Sequence, residues 1–104
     1  MSNAIVQINF DLTVPAAELQ KHAAQIADKF NHVDGLLWKI WIVNESQQIT
    51  GGIYLFENIG KAQTYVDSDI VADLRRNWTN VEVKVFDVME EPSRITRAPL
   101  TLQK

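Results

Sequence analysis

Gly35-Leu36-Leu37-Trp38-Lys39-Ile40-Trp41-Ile42-Val43-Asn44 and, four residues later, Ile49-Thr50-Gly51-Gly52-Ile53-Tyr54-Leu55-Phe56-Glu57 are the most informative stretch of the chain. Both halves are rich in β-branched and aromatic residues, and the first has no helix breaker between Leu36 and Asn44, which reads as strand. Asp34-Gly35 is a turn signal before them, and the polar Asn44 to Gln48 makes a hairpin connection, so the two strands pair antiparallel. Gly51-Gly52 marks a bulge, a bend or a close backbone approach within the second strand.

Towards the N-terminus, Ala4, Val6, Ile8, Phe10 and Leu12 alternate with Ile5, Gln7, Asn9 and Asp11, the period of a half-buried strand. Thr13-Val14-Pro15 offers a capping hydroxyl and a proline suited to a first helical turn. Leu19, Ala23, Ile26, Ala27 and Phe30 then follow at helical spacing to about Asn31. Towards the C-terminus, Asn58 can cap a helix carrying Ile59, Ala62, Val66 and Ile70, with a kink near Asp67-Ser68 and a last stretch bearing Val71, Leu74 and Trp78. Val81 to Met89 alternates as a fourth strand. The order β-α-β-β-α-β predicts an α+β, ferredoxin-like sandwich with both helices on one sheet face. Its 104 residues form a single domain, in which 91–104 is a C-terminal tail containing Pro92 and Pro99.

Assigning the more aliphatic rows to the helices places Val6, Ile8 and Phe10; Trp38, Ile40 and Ile42; Ile53 and Leu55; and Val81, Val83 and Val85 beneath them. The opposite face then holds Gln7, Asn9 and Asp11; Leu37, Lys39, Trp41 and Val43; Gly52, Tyr54 and Phe56; and Glu82, Lys84, Phe86 and Val88. That face is too aromatic for solvent and too polar for a sealed core. Two protomers stacking these sheets would cover it and leave a mixed cavity, so a homodimer is expected, with the tail as an arm contacting the partner.

Composition removes several functions. Ten Lys plus Arg against thirteen Asp plus Glu give a net charge of -3, so neither nucleic acid nor an anionic membrane is an expected partner. Without cysteine there is no disulfide, thiolate nucleophile or Cys-held metal. The most apolar run, Leu36 to Val43, is interrupted by Lys39 and is far short of the roughly 20 residues of a membrane span. A cytoplasmic protein is expected.

No dinucleotide, phosphate-loop, calcium-loop, zinc-protease or serine-hydrolase motif occurs, and the spacing of His22 and His32 suits no metal. His32, beside Asp34, is a candidate base; His22 reads as a surface residue. Lys39 and Lys84, with Tyr54, are candidate catalytic cations and donors, walled by Trp41, Phe56 and Phe86 and supplemented by the Gln7 and Asn9 amides. Such a set suits a planar, phenolic ligand. Trp38 and Trp78 read as packing residues, and Asp67, Asp69 and Asp73 as helix-capping charge.

Gly35-Leu36-Leu37-Trp38-Lys39-Ile40-Trp41, Gly51-Gly52-Ile53-Tyr54-Leu55-Phe56 and Val83-Lys84-Val85-Phe86-Asp87-Val88 together resemble the YdhR-type monooxygenase family over nearly the whole chain. The resemblance implies a dimeric α/β barrel and an oxygenase activity that needs no cofactor. Asn9 stands where a histidine is familiar in the family's first strand. The expected function is therefore oxygen transfer to a small aromatic or polycyclic phenol bound under each sheet, without flavin, haem or metal. Two alternatives are a non-catalytic, stress-associated dimer using the same cavity as a receptacle, and haem binding.

Overall fold

The first strand, β1 (Ala4–Asp11), lies inside the sheet and is hydrogen-bonded on both sides. The computed structural model describes residues 2–100. After β1 come α1 (Ala16–Ile26), a 3-10 turn (Ala27–His32), β2 (Leu36–Asn44), β3 (Ile49–Phe56), α2 (Ile59–Val66), α3 (Asp69–Asn77), β4 (Glu82–Asp87) and α4 (Glu90–Ile95). The strands form one antiparallel sheet in the order β2-β3-β1-β4. This is the α+β ferredoxin-like arrangement read from the sequence, with α4 added in the tail.

Local chemistry sets the boundaries. Pro15, at φ -58°, precedes α1 and its carbonyl accepts the Leu19 N–H at 3.0 Å; the Thr13 hydroxyl is not used as a cap. Asn58 caps α2, its Oδ1 accepting the Lys61 N–H at 2.9 Å. The expected kink separates α2 from α3 because Ser68 turns both its N–H and its hydroxyl back to the Tyr65 carbonyl, the hydroxyl at 2.6 Å.

The core joins Ala4, Val6 and Ile8 of β1 to Tyr54 and Phe56 of β3 and to Ala62, Tyr65 and Val71 of the helices. Val83 and Val85 of β4 pack against it. Full burial of side chains such as Val6, Ile8 and Phe56 contributes about 1.5–3 kcal/mol each.

The expected faces hold for β1 and β4 and are reversed for β2 and β3. Cross-strand partners share a face: Val6 pairs with Tyr54, and Tyr54 with Lys39. Lys39, Trp41, Tyr54 and Phe56 therefore point to the helices, whereas Trp38, Ile40, Ile42, Ile53 and Leu55 lie on the other face with Gln7, Asn9, Lys84 and Phe86. Hydropathy did not separate the two rows of β2 and β3, since both are apolar; the register with β1 did. Nor is the ladder irregular at Gly51-Gly52. It shifts at Leu37, with Leu36 opposite Phe56 and Trp38 opposite Leu55. The glycine pair instead serves close approach: a Cβ on Gly51 would meet the Ile8 carbonyl oxygen at 1.9 Å.

The tail ties back to its own chain. Val88 N–H donates to the Asn3 carbonyl at 3.0 Å, Asn3 N–H to Glu90 Oε2 at 2.6 Å, and Trp38 Nε1–H to the Pro99 carbonyl at 2.8 Å. Trp38 is thus a tail anchor on the outer face, in place of the expected residue under the helices. Residues 101–104 of the expected arm lie outside the described residues.

Candidate active site

A cavity of about 700 Å³ opens between the helices and the helix-facing side of β2 and β3. Phe10, Phe30, Lys39, Trp41, Tyr54 and Trp78 are among its walls, and His22 and Asp73 also line it. The 3-10 turn carries Phe30 over the sheet, where its ring meets Trp41 edge-on at 5.3 Å and 89° and lies 6.4 Å from Tyr54. Deeper in, Tyr54 packs on Tyr65 at 5.1 Å. Across the cavity, Phe10 meets Trp78 at 4.9 Å.

Lys39 ends inside this aromatic enclosure. Its Nζ is 3.3 Å from the Trp41 ring centroid, 3.6 Å from that of Phe30 and 4.7 Å from that of Tyr54. Gly52 permits this path, because a Cβ there would meet Lys39 Cε at 2.9 Å. Among the described residues the ion pairs are Lys61–Asp34, Arg76–Asp73 and Arg94–Glu90, so no carboxylate pairs with Lys39. Burial pushes its pKa down to about 7. The ring faces oppose that shift, since a desolvated ammonium gains about 2 kcal/mol from an aromatic face. Burial is the larger effect, and it brings the neutral amine within reach near pH 7. Tyr54 behaves oppositely: burial, then the adjacent Tyr65 phenol, push its hydroxyl well above the ordinary tyrosine range. It stays a protonated donor.

Of the residues singled out from the sequence, the fold brings Lys39, Trp41 and Tyr54 together. Phe56 is fully buried core, stacked on Tyr54 at 6.4 Å and 17° rather than walling the cavity. Gln7 and Asn9 lie on the opposite sheet face, where Gln7 Nε2 donates to Asn9 Oδ1 at 3.1 Å; Lys84 and Phe86 share that face. His32 is exposed at the end of the 3-10 turn and does not line the cavity. Asp34, expected to orient it, accepts a hydrogen bond from Lys61 Nζ at 2.6 Å. His22, read as a surface residue, is exposed but reaches the cavity lining. Phe30, Phe10, Tyr65 and Trp78 also line the cavity, and the sequence does not mark them as site residues. The strand spacing of Phe10 and the helical spacing of the others look the same whether these residues seal a core or line a void, and only the Lys39–Tyr54 pairing points to that side of the sheet. No group of three metal-ligating side chains occurs among the described residues.

The family model described as "Putative mono-oxygenase ydhR" matches residues 5–99. The chain belongs to the YdhR family. Among curated proteins, none matches the sequence. Solved structures similar to this YdhR-family chain include NE2512, a protein of unknown function from Nitrosomonas europaea. That likeness has TM-score 0.66 and 14% identity, over 86% of this chain and 91% of that one. SnoaB, a cofactor-independent oxygenase from Streptomyces nogalater, has TM-score 0.64 and 13% identity, over 86% and 96%. The heme-degrader MhuD from Mycobacterium tuberculosis has TM-score 0.59 and 20% identity, over 82% and 95%. At these identities the likeness is one of fold.

Proposed function

We propose that this YdhR-family chain is a cofactor-independent monooxygenase that binds a small aromatic or polycyclic phenol in the cavity between sheet and helices. The observation that carries the reading is the Lys39 amine, held without a carboxylate among Phe30, Trp41 and Tyr54. A phenol entering there can pass its proton to Lys39 Nζ and remain as a phenolate paired with the ammonium. In a low-dielectric enclosure such a pair is far stronger than in water. Tyr54 donates to the substrate oxygen, and the rings exclude water. The electron-rich anion supplies the electrons: a ring methylene and dioxygen become a ring carbonyl and water, a balanced four-electron exchange needing no outside reductant. The cavity's place, above the sheet rather than below it, replaces the expected site on the outer face.

That outer face supports the homodimer reading instead. Ile40 and Phe86 are 48% and 49% exposed there, beside the Gln7 and Asn9 amides, and a second sheet stacked on it would remove this apolar surface from water.

Oxygen consumption by metal-free protein with anthrone-like and hydroquinone-like substrates tests the activity, with binding followed by tryptophan fluorescence. Turnover that falls at least tenfold in Lys39→Ala supports it. Binding without turnover removes the enzymatic reading and leaves a receptacle. The haem reading gains one observation, His22 at the cavity, and a haem titration that develops no Soret band ends it.

A further inference from the structure

The Lys39 amine has a second capability that needs no oxygen. We infer that Lys39 is a covalent capture site for aromatic aldehydes, which it holds as an imine inside the cavity above β2 and β3. Three features of the geometry combine. First, the amine faces a void of about 700 Å³ with apolar walls, large enough for a fused-ring aldehyde. Second, the Lys39 stem is laid across Gly52, which aims Nζ at one place, 3.3 Å from the Trp41 ring and 3.6 Å from the Phe30 ring. An aryl group joined to Nζ would enter this box, and the protonated imine would keep a cation over the same ring faces. Third, the other charged groups around the cavity leave Lys39 alone: Asp73 is bound to Arg76, and His22 and Lys29 are exposed. Desolvated lysines are the ones that act as nucleophiles at neutral pH, and the lowered pKa of Lys39 agrees with this assignment.

The step balances without a redox partner. The Nζ lone pair attacks the carbonyl carbon, forming the C–N bond, and the carbonyl oxygen takes up a proton to give the carbinolamine. The C–O bond then breaks, and the hydroxyl leaves as water with a second proton; of the two protons in that water one comes from Nζ and one from solvent, so the imine keeps the other Nζ proton and the positive charge. Tyr54 walls the amine, with its ring centroid 4.7 Å from Nζ; burial and the adjacent Tyr65 keep its hydroxyl protonated, and the proton that leaves with the oxygen comes from solvent.

The test is reductive trapping: full-length protein is incubated anaerobically with 2-naphthaldehyde and borohydride at pH 7.5, then digested and mapped by mass spectrometry. Lys39 is expected to be labelled roughly a hundredfold faster than Lys21, Lys29, Lys61 or Lys84, because an ordinary lysine with pKa near 10.4 is almost wholly protonated there. Labelling should disappear in Lys39→Arg, which keeps the cation, with tryptophan emission confirming that the variant is folded. Adducts spread over the surface lysines at comparable rates, or an unlabelled Lys39 under excess aldehyde, would overturn the proposal. Since no oxygen is present, failure of the oxygenase reading leaves this result untouched, and the reverse also holds.

Discussion

Lys39 crosses the sheet over Gly52, so closely that a Cβ on Gly52 would stand 2.9 Å from Lys39 Cε and 3.2 Å from Tyr54 Cε1. The missing side chain on β3 is what allows an amine on β2 to lie flat and reach the rings of Phe30 and Trp41. Gly52→Ala should therefore act on Lys39 more than on the fold. The atom it must displace, Lys39 Cε, is near the end of a flexible chain, and the Tyr54 ring has to give by only a few tenths of an ångström, so stability is expected to change by no more than about 1 kcal/mol. The Lys39 pKa should move from about 7 back towards an ordinary lysine. Urea melts and an NMR titration of the Lys39 Cε signal measure the two effects; an unchanged titration would show that Gly52 does not hold the amine in place.

Lys39 also makes stability depend on pH with a definite sign. Its folded pKa is about 7 against 10.5 when unfolded, so between those values the unfolded chain binds the extra proton and stability rises with pH. Tyr54 and Tyr65, raised in the folded state by burial, hold the protein's stability up to about pH 10, the ordinary tyrosine value, and lose it above. Chemical denaturation from pH 6 to 11 should thus show a rise above about pH 7 and a fall above about pH 10. Lys39→Met should flatten the rise and leave the fall.

The tail depends on the outer-face indole of β2. Removing the Trp38 Nε1–H donor to the Pro99 carbonyl, 2.8 Å in the intact chain, costs about 1 kcal/mol. In Trp38→Phe, tryptic cleavage after Arg94 and Arg97 should accelerate several-fold while the global unfolding midpoint moves little. Equal cleavage rates in the two proteins would mean that Trp38 does not retain the tail.

The outer face should carry the oligomer. Ile40 and Phe86, about half exposed in one chain, are expected to be buried between two copies. Ile40→Asp or Phe86→Asp should shift light-scattering mass from dimer to monomer with secondary structure retained. A wild-type chain that is monomeric at 100 μM would remove the stacking argument.

Burial of the site explains why its parts were unevenly legible. That Lys39, Trp41 and Tyr54 share one face, with aromatic residues around them, is visible along the chain, and these three meet in the cavity. Gln7, Asn9, Lys84 and Phe86 fall in the same group when each row is assigned by its apolarity. That criterion works on β1 and β4, where one row is polar, and has nothing to distinguish on β2 and β3. His32 reads as a base because Asp34 is its neighbour, but sequence proximity does not reveal that Lys61, twenty-seven positions from Asp34, binds that carboxylate.

Local pattern alone specified the four strands, α1 to α3, their order and the break at Ser68, because periodicity, caps and turns act within a few residues; it did not show that α1 gives way to a 3-10 turn at Ala27 or that the tail forms α4. The homology of the three β-rich segments likewise pointed to the family that residues 5–99 match. Which face of β2 and β3 meets the helices, and hence where the amine goes, was settled only by tertiary structure. That choice rests on Val6 pairing with Tyr54 and Tyr54 with Lys39, a register set by contacts between distant segments. A strand whose two sides are equally apolar does not encode it on its own.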